Sequence, residues 1–316
     1  MSTGPIQTDA QAHLDQAIAE TLDAARTAAQ DKRHAKGFRT ARENLYDLID
    51  DGSFIEYGQL AVAAQRGRRD SASLRIDTAA DGVITGTATV NAELITNSKS
   101  DVAVAIYDYS VLAGTQGFFH HQKLDRIFDL AERRHLPFVM YTEGGGGRPG
   151  DTDVKVSIAG LNSTSFSRWA GLTGKVPRVT VNNGYCFAGN AALFGAGDVR
   201  IATKSSSIGM AGPAMIEGGG LGVFHPNEIG PANTLCNAGA IDILAEDEAH
   251  ATALAKCVLS YAQGDIISSG APEQTALRSI LPDNRRMAYD VRRVMTVLFD
   301  HQSVIELRPV YGRAVV

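Results

Sequence analysis

The chain is short of the features that carry the most direct functional messages. Its three cysteines, Cys186, Cys236 and Cys257, are scattered and lack CxxC spacing, which excludes a cysteine-based zinc site and a disulfide framework. No apolar run approaches the roughly 18 residues that a membrane-spanning helix needs. The first residues also lack the basic-then-apolar pattern of a signal peptide, so a cytoplasmic protein with no membrane partner is expected. A net charge of −5 leaves no basic stripe for nucleic acid. His120-His121 and His225 have no partner at metal-ligand spacing, so no metal is expected and they read as packing or surface residues. Trp169 and Tyr185 read as core.

What is present is a 316-residue chain, 44% hydrophobic and 21% charged, long enough for a large core and about two domains. Glycine is plentiful and concentrates in Gly144–Gly147 and Gly218–Gly220, where backbone would approach a ligand. The chain is organised around Val181 to Ala202, VNNGYCFAGNAALFGAGDVRIA, which reads as strand, glycine turn, helix and strand. Ala188-Gly189-Asn190 falls at the first turn of that helix. Free N–H groups there, at the positive end of the helix dipole, favour a developing negative charge. A buried helix with small residues for close packing explains the same pattern equally well.

In order, residues 1–11 read as frayed, and Ala12 to about Lys32 as one amphipathic helix ended by His34–Gly37. Thr40-Ala41-Arg42-Glu43 is a capping box opening a second helix, followed by an extended piece at Phe54–Tyr57. Residues 58–80, with Arg66, Arg68 and Arg69, read as a loop whose basic cluster is a solvated patch rather than a phosphate site. Strands are expected at Gly82–Val90, Asp101–Tyr107, Pro137–Tyr141, Val176–Val181 and Val199–Thr203. Helices are expected at Phe119–Arg134, about Val156–Leu172, and Glu246–Gln263 with Ala251, Leu254, Cys257, Val258 and Tyr261 inward. Gly209–Gly222 reads as a second glycine-rich loop. The alternation of strand and helix implies a mostly parallel sheet with active loops at the strand C-termini.

The chain also repeats itself. Arg42–Glu56 (RENLYDLIDDGSFIE) and Arg292–Glu306 (RRVMTVLFDHQSVIE) share Arg, Leu, Asp, Ser, Ile and Glu at a constant offset of 250, which suggests a duplicated unit.

Several segments carry a resemblance to a known family. NGYCFAGNAALFGAGDVRIA resembles the NGxxxGGGxxxxxxxDxRIA segment of the crotonase superfamily, whose members bind acyl-CoA thioesters and stabilise their enolates. HAKGFRTARENLYDLIDDGSFIE (34–56), SVLAGTQGFFHHQKLDRIFDLA (110–131), EGGGGR (143–148), GMAGPAMI (209–216), NEIGPANT (227–234) and LRSILPDNRRMAYDVRRVMTVLFD (277–300) follow in family order. Together they resemble the carboxyltransferase (beta) subunit of biotin-dependent acyl-CoA carboxylases, from about residue 30 to the last residue.

The resemblance implies an α/β, crotonase-like (ClpP/crotonase) ββα spiral, with one complete domain plus the start of a second. Its divisions would be an N-terminal helix (1–32), a carboxyltransferase domain (33–270) and the opening of a second, incomplete one (271–316). It implies carboxyl transfer from carboxybiotin to the α-carbon of an acyl-CoA, with the cofactor serving as its own base. Gly189 and Asn190 would hold the thioester enolate oxygen, with Ala188 beside them, and the Asn190 side chain could narrow the acyl pocket. Gly145, Gly146 and Gly147 would let backbone approach the acyl-CoA, Ala113 and Gly114 would line the CoA channel, and Gly212 and Pro213 would shape the opposite wall. Arg148 reads equally as an ion-pair partner and a phosphate contact.

The chain has no ATP-binding loop of GxxxxGKT type and no A-M-K-M biotinylation tetrad. Biotin carboxyl carrier and biotin carboxylase subunits or domains are therefore implied partners, together with self-association into a homo-oligomer. The family's second half carries the biotin oxyanion hole, so 1–316 alone is expected to have little carboxyltransferase activity. Two other readings stand beside this one. A hydratase or isomerase would use Glu143 and Glu217 to move protons; an acyl-CoA-binding assembly subunit would have no catalytic role.

Overall fold

A computed structural model describes residues 9–95, 99–154, 163–265, 270–284 and 286–312. Nine strands occur among them: β1 (Ile55–Tyr57), β2 (Val83–Thr89), β3 (Asp101–Tyr107), β4 (Phe138–Tyr141), β5 (Arg178–Asn182), β6 (Tyr185–Phe187), β7 (Val199–Thr203), β8 (Ser207–Gly209) and β9 (Ile243–Ala245). The α-helices are α1 (Asp9–Ala19), α2 (Thr27–His34), α3 (Ala41–Leu48), α4 (Ser71–Asp77), α5 (Phe118–Arg134), α6 (Ser165–Gly171), α7 (Gly189–Gly195), α8 (Pro213–Gly218), α9 (Ala232–Asn237), α10 (Glu248–Ser260), α11 (Leu277–Ile280) and α12 (Val291–Leu298). None is long and apolar enough to cross a membrane.

The main sheet runs β1-β2-β3-β4-β5-β7-β9. Its β1-β2-β3 end is an antiparallel meander, and β3 onward is parallel, with Val104 opposite Val139 and Val181 opposite Ile201. A parallel connection must cross over the sheet, and α5 does so between β3 and β4. After β5 the chain adds β6 to a second sheet before entering α7; after β7 it adds β8 to that same sheet, parallel to β6. This strand–strand–helix repeat leaves the first turn of α7 at the junction of the two sheets.

The central strands are buried on both faces, which explains their continuous β-branched runs. On one face α3 and α10 cover Val104, Val139, Val179 and Ile201. On the other, Leu124, Ile127 and Phe128 of α5 meet Phe138, Met140 and Trp169. Burying each such side chain contributes about 1.5–3 kcal/mol. Trp169 is core as expected, its indole N–H donating to the Leu193 carbonyl at 2.8 Å.

Several expectations need correction. The helix expected over 12–32 is broken: Leu22 is extended and Arg26 turns inward, its guanidinium meeting Asp108 at 2.7 Å and Ser110 at 2.9 Å. The charge spacing hid that break because Arg26 fits either role. The 58–80 segment is not all loop, since Asp70 caps α4 through the Ala72 and Ser73 amides. The Gly209–Gly222 loop contains α8, started by Pro213 at its first turn, where proline's fixed φ suits a helix. Tyr261 is exposed rather than inward, its hydroxyl donating to the Ser303 carbonyl. The helix expected over 156–172 is observed only as α6, because 155–162 lie outside the described residues.

The internal repeat has a geometric counterpart. Arg42 forms a double hydrogen bond with Glu56 at 3.0 and 3.2 Å, and Arg292 pairs with Glu306 through two guanidinium nitrogens. Ser53 and Ser303 each fold back on the aspartate three residues earlier, and Gly52 and Gln302 share a positive φ. Thr40 caps the first helix and Asp290 the second. Burial separates the copies: Leu45 and Leu48 are fully buried, whereas Leu298 is 49% exposed and Met295 half-buried. Leu45→Ala should therefore cost about 2–5 kcal/mol in urea unfolding, and Met295→Ala less than about 1 kcal/mol. Equal losses would contradict this asymmetry.

Candidate active site

The turn into α7 is made by Ala188, which sits at φ 52°, ψ −118° and donates its N–H to the Gly209 carbonyl at 2.9 Å. The next three N–H groups, of Gly189, Asn190 and Ala191, have no hydrogen-bond partner among the described residues. That corrects one expectation: Ala188 contributes backbone geometry but no free donor, because its amide joins the two glycine segments. Gly189 and Asn190 keep theirs, at the end of a helix that favours negative charge.

Two loops close over this turn. Gly146, at φ 85°, lies so near that a Cβ there would stand 2.7 Å from the Ala188 Cβ and 3.6 Å from the Gly189 nitrogen. Only glycine fits such an approach at that φ. Gly145 donates to the Ala113 carbonyl at 3.1 Å, and Gln116 donates its backbone N–H to the Gly146 carbonyl at 2.8 Å. Ala113, Gly145 and Gly147 are exposed, while Gly114 is packed beneath them against the Glu143 and Gly144 backbone. Gly212 borders the Phe187 ring on the far side, and Pro213 starts α8 beside it.

The Asn190 side chain does not reach outward to narrow a pocket. It is fully buried and turned between the loops. Its Oδ1 accepts the Gly146 N–H at 3.0 Å, and its Nδ2 donates to the Thr142 carbonyl at 3.1 Å and the Gly114 carbonyl at 3.4 Å. A glycine here would leave these backbone groups to find other partners. Arg148 is an ion-pair residue: it contacts Asp81 and Asp151 with 6% of its side chain exposed.

A cavity of about 1090 Å³ is bordered by Glu143, Gly184 and Tyr185, which adjoin the glycine loop and β6 in sequence. Ala188, Gly189 and Asn190 are not among its lining residues. Its wall includes Lys32, Arg33, Lys36 and Phe38 from α2 and its C-terminal turn, Tyr109 and Leu112, Tyr185, and Lys204. Lys32 and Lys36 are exposed and have no ion-pair partner among the described residues. Tyr185 is therefore a wall residue stacked on Phe187, not core. Arg69 also lines the cavity, paired to Asp77, so part of the expected solvated patch faces the concavity.

At the cavity floor Arg33 grips Glu143 through two hydrogen bonds of 2.9 and 2.7 Å and lies 3.9 Å from Glu248. Burial pushes the Glu143 carboxyl up to about 7, opposed by Arg33 and reinforced by Glu248 and Asp108. Both oxygens of Glu143 are taken by the Arg33 guanidinium, and Glu217 is exposed on α8, so the two carboxylates do not form a proton-moving pair. Composition gave no signal for Arg33, Tyr109 or Gln116: each sits in an ordinary-looking segment and is brought to the site by long-range contacts.

The raised Glu143 pKa has a defined consequence for stability. The folded state retains this proton where the unfolded carboxyl, near 4.5, has lost it. The contribution is full below about pH 4.5 and is lost as pH rises toward 7. Urea unfolding should show the wild type losing stability relative to Glu143→Gln across that window; a difference that is constant with pH would contradict it.

Comparison with known proteins agrees with this geometry. A model of the carboxyl transferase domain matches residues 32–316. The propionyl-CoA carboxylase beta chain of Saccharopolyspora erythraea is 28% identical, across 93% of this chain and 55% of the relative. A solved single-chain, multi-domain long-chain acyl-CoA carboxylase is 51% identical with a TM-score of 0.92, across 98% of this chain and 30% of that one. The transcarboxylase 12S crystal structure, with hydrolysed methylmalonyl-coenzyme A bound, is 25% identical with a TM-score of 0.79, across 98% of this chain and 60% of that one. The chain spans about half the length of the curated relatives it matches. The parallel-dominated sheet is the crotonase-like α/β fold of these structures. With the glycine loops and the unpaired amides of α7 in place, this chain belongs to the carboxyl transferase domain family.

Proposed function

We propose that the chain is the acyl-CoA half of a biotin-dependent carboxyltransferase, adding a carboxyl group to the α-carbon of an acyl-CoA through its thioester enolate. The observation that carries this reading is the set of unpaired N–H groups at Gly189 and Asn190 beneath the Gly146 loop. Donors fixed where an enolate oxygen develops charge need no reorganisation during reaction; removing one such donor costs about 3–4 kcal/mol in other enzymes.

The coenzyme would lie in the large cavity. Lys32 and Lys36 offer cations to phosphate groups, while Phe38, Tyr109 and Tyr185 offer flat apolar surface to an adenine ring. Its thioester end would pass Leu112 and Ala113 toward Gly145 and Gly146. Gly212 and Pro213 would bound the acyl group from the other side. The carboxyl donor in this reading is a biotin borne by a separate carrier, which supplies an activated carboxyl group when bound. The exposed edge at Ala113, Gly145 and Gly147, which carries no side chain larger than a methyl, leaves room for a ring to approach. This chain's residues hold the thioester oxygen and exclude competing contacts; none is needed as a base.

Residues 271–316 would open a second unit like the first, as the repeated Arg–Glu pairing supports. Carboxyl transfer would then require that unit together with a biotin carboxylase and a carrier, in an oligomeric assembly.

Two substitutions separate binding from chemistry. Gly146→Ala, whose methyl would crowd Ala188 and the Gly189 amide, should lower carboxyl transfer about 100-fold or more. The assay supplies the chain with a relative's second half, a biotinylated carrier and propionyl-CoA; calorimetric CoA affinity should stay within about threefold. Lys36→Glu should weaken CoA about tenfold. Failure of the wild type to bind CoA, or full transfer activity in Gly146→Ala, would defeat this reading.

A further inference from the structure

The side chain of Gln116 stands at the α7 turn with half of its amide unused. The residue is 4% exposed and held at every other point. Its backbone N–H donates to the Gly146 carbonyl at 2.8 Å, and its carbonyl accepts the Arg148 N–H at 3.0 Å. Its Nε2 donates to the hydroxyl of buried Tyr107 at 2.9 Å. The remaining atom, Oε1, has no hydrogen-bond partner among the described residues, yet it is not one of the fully sealed polar atoms and keeps some contact with solvent. It lies directly beside Gly189: a Cβ built there would stand 2.3 Å from this oxygen and 3.0 Å from the Phe166 ring.

A nearly buried acceptor with no protein donor keeps little water, and it would incur the full desolvation cost if a ligand covered it without offering a donor. Here that acceptor stands beside Gly189, and both ends of the residue are fixed. The described residues offer it no donor, so its partner in the unliganded protein is water, and a ligand N–H that displaces this water would take its place. Both compounds invoked above carry an amide-type N–H: an acyl-CoA in the cysteamine arm, two carbons from the thioester sulfur, and biotin in its ureido ring.

We propose that Gln116 is a substrate-binding residue whose side-chain carbonyl accepts a hydrogen bond from an amide-type N–H of the bound ligand. This rests on the carboxyltransferase reading for the ligand's identity. It explains in addition why position 189 is glycine: any side chain would displace the acceptor. It also gives the site a polar contact on the substrate that is separate from the anion-holding amides.

The test is a titration of wild type, Gln116→Met and Gln116→Glu with propionyl-CoA by calorimetry and with free biotin by NMR. Methionine keeps the length and removes the acceptor; glutamate keeps an acceptor and can still take the Tyr107 hydroxyl proton. Gln116→Met should weaken one of the two ligands roughly five- to tenfold, the loss expected for one neutral hydrogen bond, and Gln116→Glu should recover most of it. A loss confined to propionyl-CoA assigns the cysteamine amide, and one confined to biotin assigns the ureido group. Unchanged binding of both ligands in Gln116→Met, equal weakening of both, or a loss in Gln116→Glu as large as in Gln116→Met overturns the proposal while leaving the carboxyltransferase reading intact. A wild type that takes up neither ligand overturns both.

Discussion

The fully buried amide of Asn190 holds three backbone groups from two loops: the N–H of Gly146 and the carbonyls of Thr142 and Gly114. Each of those groups belongs to a segment too rich in glycine to hold its own shape, since glycine loses the most conformational freedom on ordering. Tied to one rigid helical turn, the loops have a single arrangement. The Asn190 side chain thereby settles which amides are spent and which remain. It takes the Gly146 N–H out of play and leaves its own backbone N–H and that of Gly189 unpaired.

The cavity is linked to this turn through one residue of backbone. Glu143 lies on its floor in the grip of Arg33, and Gly144 follows directly, with its N–H on the Tyr185 carbonyl and its carbonyl on the Phe187 N–H. Arg33 comes from α2, near the start of the chain, so the N-terminal segment is part of the cavity wall rather than an ornament on it. Two acids facing one guanidinium leave the cluster short of positive charge, and burial makes ionisation still harder. Desolvation at that depth outweighs the attraction of Arg33, which accounts for the raised pKa of Glu143.

Much of this arrangement was legible in the residues. Strand and helix periodicity located the sheet, the Thr40–Glu43 capping box located α3, and the Ala188–Asn190 segment located the turn. What stayed hidden depended on long-range partners. Arg26 reads as a helix-surface residue and proves to be an internal anchor for Asp108. Asn190 reads as an added side chain in an acyl pocket and proves to be an inward clamp. Tyr185 reads as core and faces the cavity, because β6 belongs to the small second sheet. The amide of Ala188 reads as available and is consumed by Gly209, a partner more than twenty residues away. Local spacing reports which groups lie at a turn, but pairing across the fold decides which of them are free.

The central claim is that the amides of Gly189 and Asn190 hold the oxygen of a coenzyme A thioester. Infrared spectroscopy of a bound thioester labelled with 13C at the carbonyl tests it most directly. A pair of fixed donors should move the carbonyl stretch to lower wavenumber than in water, and Gly146→Ala should abolish that shift while the ligand stays bound. A bound thioester whose carbonyl absorbs as it does in solution would contradict the account.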